Sequence, residues 1–249
     1  MRRKIAVFAF AILSMLVLVP DVSYAAEVKV FCTQALRTSL LELAPRFEKA
    51  TGHKVVLEVA PSGALIKRIA AGESADLIIA NADNLDGLIR DGKVKGARTD
   101  IARAQVGISI KAGLPKPDIS TSDGVRRTLL DAKTVAYSAG GLSGNAFENV
   151  LAKLGIAEQV KAKAKNGSPA AGFVARGEAD LAVQQISELI AVEGAELLGP
   201  LPAELDQVTQ FSMGVLSEGK SKEIAKALLE YLRSPEAQAV IKAKGLTPG

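Results

Sequence analysis

The chain has 249 residues, a formal net charge of +4 and a single cysteine. Its charge is weak and mixed, 31 basic against 27 acidic residues, which argues against a nucleic-acid surface. One cysteine excludes an internal disulfide, and 4% aromatics with no tryptophan offer little for a sugar-stacking cleft.

Arg2, Arg3 and Lys4 precede an apolar run from Ile5 to Val19 that only Ser14 interrupts, and Ser23-Tyr24-Ala25 places small residues before Ala26. This is the pattern of a cleavable export signal over residues 1–25. A membrane-spanning helix needs ~20 apolar residues, and this run breaks at Pro20. Cys32 lies beyond it in a strand-like segment, so no lipid anchor is expected. Residues 26–249 keep a net charge of about +2 and must fold on their cores alone.

Val28 to Cys32 reads as a strand, followed by a helix with Leu36, Leu40, Leu43 and Phe47 on one face. Thr51-Gly52 ends that helix, and His53 to Val59 is a second strand. Ser62 precedes a helix carrying Leu65, Ile66 and Ile69, with Gly72 as its stop, and Ala75 to Ala80 is a buried strand. This βαβαβ alternation predicts an α/β domain with a mostly parallel sheet.

The pattern then restarts. Val106 to Ile110 is a strand, Gly113 to Pro117 an exposed linker, Thr121 to Leu130 a helix, and Thr134 to Tyr137 a strand. Ser138 to Gly144 reads as loop and Asn145 to Leu154 as helix. In Asn166-Gly167-Ser168-Pro169 the serine is expected at the N-cap, with proline at the first helical position. Leu181 to Gln184 is a short strand and Leu205 to Leu216 is extended. Helices at Lys222 to Arg233 and Pro235 to Lys244 close the chain. Two α/β modules in series follow, and the extended segment is long enough to lead back to the first.

Gly214-Val215-Leu216-Ser217-Glu218-Gly219-Lys220-Ser221 matches the spacing of a phosphate-binding loop. Val215 and Leu216 continue an apolar strand there, so the context of that motif is missing. His53, the only histidine, stands where a turn enters a strand, so no Ser-His-Asp triad or zinc set is assembled. What recurs is a helix start rich in small hydroxyls or glycines after a strand: Thr33, Ser62, then Ser138-Gly140-Gly141-Ser143, then Gly167-Ser168. In open α/β sheets ligands bind outside the strand carboxyl ends. Helix N-termini offer unpaired N–H groups and partial positive charge there. Each serine alone is explained by capping, worth ~1 kcal/mol. Four such starts in two modules point to a shared anion site.

These residues carry a resemblance. "VFCTQALRTSLLELAPRFEKATGHKVVLEVAPSGALIKRIAAGESADLIIANAD", then "NAFENVLAKLG", "RGEADLAV" and "LLEYLRSPEAQAVIKAKGL", resemble the periplasmic molybdate-binding proteins of ABC importers, a branch of the type 2 periplasmic solute-binding proteins. The likeness covers nearly all of residues 26–249. It implies a two-lobed α/β fold, each lobe a mostly parallel sheet flanked by helices, with lobe I at 26–104 and 206–249 and lobe II at 105–205. It also implies one oxyanion in the interlobe cleft, held by neutral donors.

Carried over by position, Ser62 matches a ligand-binding serine, Ser143 a backbone N–H donor, and Gly167 falls near another. The family's first-loop serine aligns with Ala35 and its tyrosine with Gln185, so Thr33 and the amide of Gln184 or Gln185 stand in as donors. The expected ligand set is Thr33, Ser62, Ser143, Gly167 and Gln185. The resemblance further implies a non-enzymatic periplasmic monomer that passes molybdate or tungstate to a membrane permease, with no cofactor and no metal beyond the oxyanion. Two other functions fit less well: the same fold holding another small anion or organic carboxylate, and an exported hydrolase working through cleft carboxylates.

Overall fold

The computed structural model describes residues 26–249; residues 1–25, read from the sequence as an export signal, lie outside the described residues. The chain opens with β1 (Glu27–Cys32), a 3-10 turn (Gln34–Leu36), α1 (Arg37–Thr51), β2 (Lys54–Val59), α2 (Ser62–Ala70), β3 (Leu77–Asn81), α3 (Ala82–Arg90) and β4 (Thr99–Ala104). A second group follows: β5 (Val106–Lys111), α4 (Ser122–Asp131), β6 (Val135–Tyr137), α5 (Leu142–Leu154), α6 (Ala157–Lys161), β7 (Ala164–Asn166), α7 (Ala170–Ala175), β8 (Leu181–Gln185), α8 (Ile186–Leu189) and β9 (Ala195–Pro200). The chain ends with β10 (Thr209–Val215), α9 (Lys222–Leu232), α10 (Pro235–Ala243) and β11 (Thr247–Pro248).

The strands form a six-stranded sheet, ordered β11-β4-β10-β3-β1-β2, and a five-stranded sheet, ordered β7-β6-β8-β5-β9. Each sheet lies among helices, so the expected two-lobed α/β arrangement is present. Its expected mostly parallel sheets are in fact mixed. β1 runs parallel to β2 and β3, but β10 is antiparallel to β3 and β4; β6 runs parallel to β7 and β8, but β5 is antiparallel to β8 and β9. The reason is the path of the chain. β5 enters the second sheet from the first and wedges between β8 and β9, while β10 returns and wedges between β3 and β4.

Burial follows the sequence pattern. Leu40, Leu43 and Phe47 of α1 are buried with Val28, Val30, Leu77 and Met213 of the sheet. Ala225, Leu228 and Leu232 of α9 and Ile241 of α10 join the same core, so the C-terminal helices belong to the first sheet. Val135, Phe147, Leu151, Leu181 and Val183 anchor the core of the second. Burying a side chain of this size stabilises by about 1.5–3 kcal/mol.

Three helix starts differ from expectation in ways that matter for the site. α5 begins at Leu142, three residues before the predicted Asn145, because Gly144 lies so close to the Ser138 carbonyl that no Cβ fits. α2 has Pro61 at its N-cap and Ser62 inside the first turn, with no side-chain cap. α7 starts at Ala170 after Pro169, so Ser168 is not its N-cap. The similar Ser234-Pro235 pair behaves as predicted: Ser234 Oγ accepts from Ala237 N at 3.2 Å and proline opens α10.

Candidate ligand-binding site

The carboxyl ends of β1 and β2 bring Thr33 and Ser62 together. Both are buried, and Ser62 Oγ donates to Thr33 Oγ1 at 3.1 Å. Thr33 N is spent on Ile79 O at 3.0 Å, which fixes its backbone to β3. The Thr33 hydroxyl proton has no acceptor among the described residues, so it is a donor in waiting. In α2 the first intrahelical bonds run from Ala64 and Leu65 to Pro61 O, which leaves the N–H groups of Ser62 and Gly63 ahead of the helix ladder.

The second lobe faces this pair with two elements. α5 brings Ser143, which is buried; its first ladder bond is Asn145 N to Gly141 O at 2.9 Å, so the Ser143 N–H also precedes the ladder. Leu142 beside it packs on the core of the first lobe, which places this helix start at the seam. The preceding loop is held by Ala139 N donating to Asn166 Oδ1 at 2.9 Å. The other element is the junction of β8 with α8. α8 packs against the 3-10 turn after Thr33, and the side chains of Ile186 and Ile190 close on Gly245 of the first lobe.

Gln185 ends β8 at that junction. It is 2% exposed, and its Nε2 is buried with no partner. A buried unpaired donor costs about 1–3 kcal/mol, so its presence calls for an acceptor from outside the chain. Gln184 is different. Its Oε1 accepts from Ala170 N at 2.9 Å and its Nε2 reaches Ser168 Oγ and the Glu188 carboxylate, so it pins α7 to α8.

Of the expected set, Thr33 and Ser62 meet directly, and Ser143 and Gln185 stand on elements at the seam. Gly167 departs: its N–H donates to Tyr137 O at 3.2 Å, continuing the β6–β7 pairing, and is not free. Ala35 is 1% exposed and belongs to the core of the first lobe. Sequence reading missed the wall beyond these donors. Gln34, Arg37 and Thr38 face Ser168, Ser187 and Glu188 across an interlobe cleft of about 390 Å³. Arg37 makes no ion pair among the described residues. Burial in this cleft pushes the Glu188 carboxyl up to about 7, against the pull of its hydrogen bond from Gln184. A cluster of charge opposite a helix start carries no sequence signature, which is why these residues escaped notice.

The phosphate-loop spacing at Gly214–Ser221 makes no cradle. Leu216 N donates to Asp76 O, Ser217 N to Lys93 O, Gly219 N to Leu216 O, and Ser221 N to Asp76 Oδ1. His53 sits at the amino end of β2, opposite the site, with its Nδ1 accepting from Ala26 N at 3.5 Å.

The profile of the family described as "Bacterial extracellular solute-binding protein" matches residues 28–247. The chain belongs to that family. It is similar to the protein named aconitate isomerase from Pseudomonas sp., at 37% identity over 84% of this chain and 83% of the relative. It is 30% identical to the molybdate-binding protein ModA of Azotobacter vinelandii, over 89% of this chain and 90% of the relative. The solved Azotobacter vinelandii periplasmic molybdate-binding protein superposes with a TM-score of 0.75 at 23% identity, covering 88% of this chain and 98% of its own. The molybdate-binding relationship expected from the sequence is therefore present, and this solute-binding protein also has a relative whose name is that of an isomerase.

Proposed function

We propose that this protein captures one small anion between its lobes in the periplasm, after removal of residues 1–25, and hands it to the permease of an ABC importer without turning it over. Lobe I is then 26–104 with 206–249, lobe II is 105–205, and Gln105 Nε2 donating to Asp206 Oδ2 at 2.6 Å ties the two crossovers. The observation that carries the reading is the unpaired, buried Gln185 amide at the same seam as the Thr33–Ser62 hydroxyl pair. Neutral dipoles fixed in a partly dry cleft hold an anion with little reorganisation, and hinge closure completes the shell.

Two ligand classes meet that description. Molybdate or tungstate is supported by the ModA relative, since the Thr33 hydroxyl, the Ser62 and Ser143 N–H groups and Gln185 can supply donors around a tetrahedral oxyanion. An organic carboxylate is supported by Ala35 and Gln185 in place of the family's serine and tyrosine, and by the 37% identical relative named aconitate isomerase. The hydrolase alternative gains no support, because His53 is remote and the cleft wall offers the single carboxyl of Glu188. A thermal-shift panel of molybdate, tungstate, sulfate, phosphate and carboxylates tests the reading. Ligand at 100 times its Kd adds about 2.7 kcal/mol and is easily seen. No response to any anion would refute it.

A further inference from the structure

Resting on that anion-capture reading, we infer that the ligand is a small organic polycarboxylate, one carboxylate taken by the Thr33–Ser62–Gln185 donors and a second by Arg37 across the adjoining cleft. The cleft is the first ground. At about 390 Å³ it falls in the range of sites that hold small organic molecules, and its lining residues Gln34 and Ser187 stand one residue after Thr33 and two after Gln185.

Arg37 is the second ground. It is the first residue of α1, whose opening turn contains no acidic residue. A cation at a helix N-terminus opposes the helix dipole, so helix stability does not explain its place there. Its planar guanidinium fork matches a carboxylate in two parallel hydrogen bonds, and no carboxylate of the described residues occupies it.

The facing wall is the third ground. Ser187 lines the cleft from α8, is 2% exposed, and its Oγ is buried without a partner. With Gln185 two residues earlier, one strand-to-helix junction holds two buried, unpaired polar groups, and Ser187 is the one that lines the cleft. A ligand with polar groups at both ends satisfies both. A compact oxyanion at the Thr33–Ser62 pair leaves Ser187 unpaired.

The test is titration calorimetry of the wild type, Arg37→Gln and Ser62→Ala with tricarballylate, trans-aconitate, acetate and molybdate. The inference expects a polycarboxylate to bind tightest. It expects Arg37→Gln to weaken that binding about tenfold or more, as loss of a charge-assisted pair does, with acetate and molybdate changed less than about threefold. Molybdate binding tightest, or Arg37→Gln leaving polycarboxylate affinity unchanged, overturns the inference while anion capture stands. If no anion binds the wild type, both readings fall together. Arg37 is exposed, so its substitution leaves the fold intact, and a melting curve of each variant verifies this.

Discussion

Ser62 Oγ and Thr33 Oγ1 lie 3.1 Å apart, joining the carboxyl ends of two parallel strands through a side-chain bond buried at the lobe seam. With Ser62 as the donor, the Thr33 proton is left without an acceptor among the described residues. Ser62→Ala therefore removes the bond that holds the Thr33 hydroxyl in place. We expect ligand affinity to fall at least about tenfold and stability to drop by about 1–3 kcal/mol, because Thr33 is left unpaired. Calorimetry and thermal melting of one preparation separate the two effects.

Gln185 should respond in opposite directions with and without ligand. Its Nε2 is buried and unsatisfied, so Gln185→Leu removes a desolvated donor. The ligand-free variant is expected to be as stable as wild type or more stable, by up to about 1–3 kcal/mol. Its ligand-induced rise in Tm should be largely lost. A variant that is destabilised but binds normally would make Gln185 a structural residue.

Glu188 makes stability depend on pH. Burial raises its folded-state pKa from 4.5 to about 7, above the value in the unfolded chain. The unfolded carboxyl thus loses its proton first as pH rises. The Glu188 contribution to stability is greatest below about pH 4.5, declines between there and about pH 7, and is constant above. The full loss is about 3 kcal/mol. Glu188→Gln should match wild type near pH 5 and be the more stable protein at pH 8, read from Tm at both values. Arg37 lines the same cleft, and an anionic ligand should bind more weakly as Glu188 ionises.

Asp76 is the structural counterpart. It is 6% exposed, and its carboxylate accepts from Lys29 N at 2.8 Å and Ser221 N at 2.7 Å, tying β1 to the start of α9. Asp76→Ala is expected to cost about 3 kcal/mol by orphaning two backbone donors, and Asp76→Asn less. Neither should change the Kd of the folded fraction. Denaturant titration paired with calorimetry checks this.

Much of the fold was legible because its core elements obey simple periods. Leu36, Leu40, Leu43 and Phe47 mark one helix face, and the apolar run Leu77–Ala80 marks a buried strand. β4 escaped because Thr99–Ala104 puts Asp100 and Arg103 among its apolar residues, and β9 because Ala195–Pro200 is only half-buried. Mixed sheets were invisible because strand direction at a crossover depends on which lobe the chain has come from. The meeting of Ser62 and Thr33 follows from helix starts near the carboxyl ends of neighbouring strands. The pairing of the Gly167 N–H was not legible, because it continues a sheet that local sequence does not reveal. Arg37, Ser187 and Glu188 converge only in three dimensions.

Native mass spectrometry of the protein as purified, alongside a Ser62→Ala/Gln185→Leu double variant, tests the central claim most directly. The account predicts one anion bound per wild-type chain, released on unfolding and absent from the double variant. An identical adduct on both proteins, or a wild type that carries nothing and takes up no anion when one is supplied, would contradict it.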